Sequence, residues 1–235
     1  MEEKLISSEN CEKLLLKLHS YPFKQEFNVS KNTVYFYKEE EKVIQVRLPI
    51  FWNSPSDMKQ NQMEETNYVL LMIRSGIASI GYFENGENID HRVFRAYMVR
   101  KKQGKSQIKH LKTKGKSRAG SRIRLAETLE FFDEINERLQ EYFKEYRVDK
   151  VGLSCTTTLI PYLFDAKVTT PFEKNDARVF KIPKHIANPT YESLLETNSF
   201  LKKATIQYNE NYEEIFYNLN HDTENISSND EDEDW

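Results

Sequence analysis

Residues 68–98 leave the chain little choice. Three runs have strand length and are rich in β-branched and aromatic residues: YVLLMI at 68–73, IASIGYF at 77–83 and IDHRVFRAYM at 89–98. The first two are separated by Arg74 and the tight Ser75-Gly76 turn, the second and third by a segment built on Asn85-Gly86. An Asn-Gly pair is a strong hairpin signal, because both central positions of the favoured turn need a left-handed backbone. Strands joined this closely run antiparallel, since parallel neighbours need a crossover of a dozen residues or more. The expectation is a three-strand antiparallel meander.

The segment after the meander cannot be core. Residues 100–124 contain no Asp or Glu and eleven cations: Arg100, Lys101, Lys102, Lys105, Lys109, Lys112, Lys114, Lys116, Arg118, Arg122 and Arg124. Its apolar residues are few, chiefly Ile108 and Leu111, and Gly104, Gly115 and Gly120 interrupt it. A basic loop over 100–120 is expected, and a loop of that length in a compact domain is usually functional or disordered. The net charge of −3 conceals this concentration, because HDTENISSNDEDEDW at the C-terminus has no basic residue after His221. Eleven like charges repel one another, and a polyanion relieves that repulsion. Residues 221–235 read as a disordered acidic tail.

Beyond the loop, a long helix is expected from about Ser121, with Leu125, Leu129, Phe132, Ile135, Leu139, Tyr142 and Tyr146 on one buried stripe. A strand at 148–154, a short helix at 157–164, a strand at 178–182 and a helix at 191–198 come next. Upstream, a helix at 8–19 and strands at 33–37 and 43–48 precede a polar linker at 52–66. The fold class is α/β. The order of elements is that of an RNase H-like mixed sheet, a likeness of topology only. The domain reading is an N-terminal helix and strand extension at 1–60, a main domain at 66–200, a C-terminal segment at 201–220 ambiguous between helix and strand, and the tail.

Several chemistries find little support. An RNase H-like topology invites a two-metal nuclease, which needs clustered carboxylates. The first meander strand has none, and Glu127, Glu130 and Asp149 read as surface acids. Cys11 and Cys155 are far apart and read as packing residues, with neither a disulfide nor a zinc motif expected. Lys105 and Ser106 are adjacent in a loop and lack the geometry of a Ser–Lys nucleophile. His91, His110 and His185 are scattered; His110 is read as an RNA contact. No metal or cofactor is expected. The polar N-terminus lacks a signal peptide and no apolar run spans a bilayer, so a cytoplasmic, monomeric protein with no membrane partner is expected.

The loop motif RKKQGKSQ, continued by KGKSRAGS at 114–121 and then Arg124 and Glu127, resembles the release-factor-like domain of the Vms/ANKZF ribosome-quality-control family. That domain is itself similar to the catalytic domain of the eukaryotic and archaeal class I release factor. The likeness runs from about Tyr68 to Leu195 and includes the late segment RVFKIPKHIANPTYESL. The chain carries neither the zinc-finger nor the ankyrin regions of the eukaryotic proteins, and reads as a stripped-down bacterial relative. The resemblance implies a ribosome-associated peptidyl-tRNA hydrolase that frees nascent chains from stalled large subunits, with ribosomal RNA and peptidyl-tRNA as partners. It assigns Gln107 as the catalytic glutamine, with Gln103, Gly104, Lys105 and Ser106 in the motif loop. Where the family typically has Gly-Gly-Ser-Gln, the second position here is Lys105.

An amide does not titrate usefully, so Gln107 is expected to position water rather than act as a base. Its backbone N–H suits a developing oxyanion. Arg100, Lys101, Lys102, Lys109, Lys112, Lys114, Lys116, Arg118, Arg122 and Arg124 are expected to contact RNA, where phosphate neutralisation dominates affinity. Three readings stand at this point: ester hydrolysis, a non-catalytic rescue factor binding ribosomal RNA or tRNA, and cleavage of the tRNA 3′ end.

Overall fold

A computed structural model describes residues 2–55, 65–96 and 116–216, giving only the backbone of residue 2 and residues 116–127. The chain divides into two compact units. One comprises residues 66–198; the other combines 1–65 with 199–235.

The 66–198 unit is built on the expected meander. β5 (Asn67–Arg74), β6 (Ile77–Glu84) and β7 (Glu87–Arg95) pair antiparallel in sequence. At the second turn Asn85 and Gly86 have φ of 49° and 86°, the left-handed pair that a two-residue hairpin loop requires. Gly76, at φ 80°, closes the first. The third strand ends at Arg95, short of the Met98 expected from sequence, and residues 97–115 lie outside the described residues.

A long helix (Lys116–Glu145, 30 residues) then leads to β8 (Lys150–Cys155), which pairs parallel with β5. β9 (Val179–Lys181) adds parallel to β8, giving the order β7-β6-β5-β8-β9. Three antiparallel strands continued by two parallel ones form the RNase H-like mixed sheet expected from the sequence. The helix begins five residues before the Ser121 expected, so Lys116 and Arg118 are helical rather than loop residues, and Arg122 and Arg124 are helical as expected.

We call helix Ser8–Leu18 α1, the long helix α2, Ile160–Phe164 α3 and Tyr191–Lys202 α4. α2 buries Phe131, Phe132, Ile135, Leu139 and Tyr142 in one core with Val69, Leu71 and Ile73 of β5 and Ala78, Ile80 and Tyr82 of β6. Each large side chain so buried contributes about 1.5–3 kcal/mol. Leu129, expected on that stripe, is instead 43% exposed. On the opposite sheet face, Thr197 of α4 donates to Met72 Sδ at 3.6 Å. Asn198 accepts from Tyr68 Oη at 2.6 Å.

Buried Asn136 of α2 donates from Nδ2 to Leu163 O at 2.8 Å and Val168 O at 2.7 Å, while Asp133 accepts from Val168 N at 2.9 Å. These bonds hold α3 and the segment after it against α2. α3 starts at Ile160, later than the 157 expected, with Pro161 in its first turn.

The second unit is a five-stranded antiparallel sheet. β1 (Glu2–Ile6), β2 (Lys24–Asn28), β3 (Thr33–Lys38), β4 (Glu41–Arg47) and β10 (Ala204–Tyr208) lie in the order β1-β10-β4-β3-β2. The sequence reads 1–60 and 201–220 as two segments and leaves 200–219 undecided between helix and strand. Residues 204–208 are a strand paired with both β1 and β4, which joins those segments in one sheet. One face carries the cross-strand rows Val34, Val46, Ile206 and Phe36, Ile44, Tyr208, all buried. α1, capped by Ser7 accepting from Asn10 N, buries Cys11, Leu14, Leu15 and Leu18. Trp52, expected to start a linker, is 8% exposed and its carbonyl accepts from Asn32 Nδ2 at 3.0 Å.

Replacing Asn136 by Leu keeps the volume but strips two carbonyls of their partner. The expected loss is about 1–3 kcal/mol for each carbonyl left bare, read from urea unfolding. An unchanged midpoint would show that the Asn136 bonds do not hold α3 in place.

Candidate nucleic-acid interface

The strand directions determine where the basic segment is carried. β7 runs parallel to β5, so Arg95 at the end of β7 pairs with Ile77, which in turn pairs with Arg74 at the end of β5. β8 ends at the same edge, with Cys155 opposite Ile73. The chain therefore leaves the sheet after Ala96 at the edge where β5, β7 and β8 all terminate. Ala96 N–H donates to Gly76 O at 3.0 Å and fixes the departure point. α2 brings the chain back: Tyr146, just after its end, stacks on Tyr82 with centroids 4.2 Å apart, and Tyr82 Oη donates to Arg147 O near the start of β8. In open α/β sheets, ligands bind outside the carboxyl ends of strands where the strand order reverses. Here that point lies between β5 and β8.

Gln107, Gln103, Gly104, Lys105 and Ser106 lie outside the described residues, as do Arg100, Lys101, Lys102, Lys109, His110, Lys112 and Lys114. Lys116, Arg118, Arg122 and Arg124 fall on the first three turns of α2, where the backbone alone is described. No acidic residue occupies the first turn of that helix. Cations there oppose the positive end of the helix dipole, an unfavourable placement that a bound anion offsets.

The other titratable candidates do not converge. His91 stacks on the Tyr191 ring at 3.6 Å between centroids, and His185 is exposed elsewhere. Asp149 lies at the amino end of β8. Its Oδ2 accepts from Asn67 N at 2.9 Å and from Arg147 Nε at 3.2 Å. Glu130 is exposed on α2. Among the described residues no three His, Cys, Asp or Glu side chains are grouped to hold a metal ion. Among the same residues no helix is long and apolar enough to cross a membrane.

Both cysteines are free. Burial pushes the Cys11 thiol up to about 12 and that of Cys155 up to about 11, Arg74 opposing the second shift. Cys155 sits at the edge where the chain leaves the sheet after Ala96, but a thiol so raised is a poor nucleophile at neutral pH.

Sequence reasoning misses two cations at this edge. Arg74 Nη1 donates to Ile73 O at 2.8 Å and Ser154 O at 3.4 Å, and its Nη2 to Ser154 Oγ at 3.3 Å, so it bridges the ends of β5 and β8. Arg95 is exposed at the end of β7. Arg74 precedes the Ser75-Gly76 turn and Arg95 precedes the basic segment, and nothing in the sequence alone links the two.

The fold and edge define an RNase H-like α/β domain that carries a basic insertion between its third strand and its long helix. The family described as the Bacteroidetes VLRF1 release factor matches residues 68–209, more than half of the 235-residue chain. The chain belongs to that family, and its function is accordingly release-factor-like. The match continues past the Leu195 expected from the resemblance and takes in β10. Among solved structures, the Vms1 mitochondrial localization core is similar at 13% identity, covering 85% of this chain and 87% of that one, with a TM-score of 0.39. No curated protein matches the chain.

With its thiol at about 11, Cys155 should react with iodoacetamide at pH 8 at least about tenfold more slowly than free cysteine. Labelling followed by peptide mass spectrometry measures this; a rate equal to that of free cysteine would contradict the burial of the group.

Proposed function

We propose that this protein is a peptidyl-tRNA hydrolase that works on stalled large ribosomal subunits and frees the nascent chain through its basic loop. The observation that carries the reading is RKKQGKSQ, ending on Gln107, in a chain of the release-factor family. In sequence the motif falls between the end of β7 and the start of α2.

The chemistry asks little of the protein beyond placement. The ester linking peptide to tRNA is already activated, and water is the nucleophile. Gln107 orients that water through its side-chain amide and limits competing orientations, a proximity effect. Its backbone N–H is suited to the oxyanion that forms as water adds to the carbonyl. Ribosomal RNA completes the site, and the cations neutralise its phosphates and those of the tRNA acceptor end. The protein acts as a monomer in the cytoplasm on this reading.

A second reading rests on Lys105. A side chain at a position the motif reserves for glycine restricts the backbone that presents Gln107. The protein would then bind the ribosome and release nothing.

The test uses purified protein and large subunits carrying labelled peptidyl-tRNA, with peptide and tRNA 3′ end both resolved. Release with intact tRNA is expected, and Gln107→Ala should lower its rate by about 100-fold or more, the scale of a lost positioning or oxyanion group, without loss of ribosome binding. Equal release by both proteins would remove Gln107 from the mechanism, and shortened tRNA would make the protein a nuclease. Binding without product in the wild type would support the second reading, and Lys105→Gly should then restore release.

A further inference from the structure

The edge from which the loop departs has a chemistry of its own. Arg74 and Arg95 are each in register with Ile77, so both side chains stand on the same sheet face, about 10 Å apart across two strand spacings. It is the face opposite α2, whose partners in the sheet are Ile73, Ala78 and Phe94. Among the described residues neither arginine forms an ion pair with a carboxylate. Arg74 is nevertheless held, by carbonyl and hydroxyl acceptors at the ends of β5 and β8. A guanidinium oriented on neutral acceptors keeps its charge uncompensated and its fork partly fixed, the condition for recognising phosphate at low entropic cost.

Beside it, β8 runs out into Thr156, Thr157 and Thr158, all exposed, with the first and third hydroxyls 3.4 Å apart. Hydroxyls and arginines are common donors to phosphate oxygens in nucleic-acid complexes. Their location, at the carboxyl ends of β5 and β8, is where a sheet of this order takes ligands.

We propose that Arg74, Arg95 and the hydroxyl turn at 156–158 form a phosphodiester-binding subsite for RNA, separate from the basic loop and beside its point of departure. The subsite rests on the functional reading above only in taking RNA as its ligand. It holds backbone while the loop does its work, so Arg74 and Arg95 are positioning residues.

The experiment measures binding of the full chain to an RNA hairpin with a single-stranded ACCA 3′ end, and to the same hairpin without it, by fluorescence anisotropy across a salt series. Arg95→Gln is the informative variant, since its side chain is exposed and its loss leaves the fold intact. Removing one phosphate contact should flatten the slope of log K against log salt by about 0.7–0.9 and weaken binding roughly fivefold near 0.15 M salt. Arg74→Gln should act in the same direction. Arg92→Gln is the control: it changes net charge equally on the same strand, but Arg92 pairs with Ile80 on the α2 face. A loss seen only with the overhang assigns the subsite to the single-stranded end, and a loss with both hairpins assigns it to the stem. Equal effects of Arg95→Gln and Arg92→Gln, or no effect of Arg95→Gln, would overturn the proposal. If no protein releases peptide while Arg95→Gln still weakens binding selectively, the hydrolase reading fails and the subsite stands.

Discussion

The packing of α2 against β5 and β6 is the contact on which the rest of this domain depends. Phe132, Ile135, Leu139 and Tyr142 are buried to 1% exposure or less, and their burial fixes the helix along the sheet. Because α2 must end where β8 begins, it runs antiparallel to β5 and β8. Connectivity then leaves one place for the basic segment to depart: the edge where the strands ending in Arg74, Arg95 and Cys155 terminate. Where the basic segment leaves the sheet is set by core packing and chain direction, not by any property of that segment.

α2 also divides its work along its length. Thirty residues span about 45 Å, more than twice the roughly 20 Å of a six-residue strand. The C-terminal half makes the core. The N-terminal turns carry Lys116, Arg118, Arg122 and Arg124, a charge pattern that weakens a helix start in isolation.

Much of the fold is legible in the sequence where local chemistry decides structure. The Asn85-Gly86 pair specifies its hairpin, and the apolar spacing from Phe132 to Tyr142 specifies the buried helical face. Legibility fails where distant partners decide. ATIQY at 204–208 carries no local signal strong enough to choose strand over helix; its pairing with β4, some 160 residues earlier in the chain, makes the choice. EEKLI at 2–6 is too charged to read as a strand alone, and becomes one by pairing with β10. Lys116 to Gly120 resembles loop because of its glycine and charge, yet lies within α2. For the candidate site, the charge and motif of 100–124 are visible at once. Arg74 and Arg95 are not, since a single arginine at a strand end carries no signal until the register shows which face it shares.

On the proposed reading the basic segment reaches the ester of peptidyl-tRNA in the large subunit. Placing a photo-crosslinking residue at Lys109, two positions from Gln107, and mapping its adducts on stalled large subunits tests this directly. Adducts are expected on the tRNA 3′ end and on ribosomal RNA lining the peptidyl-transferase centre. Adducts confined to the subunit's outer surface, with none on the tRNA end, would contradict it.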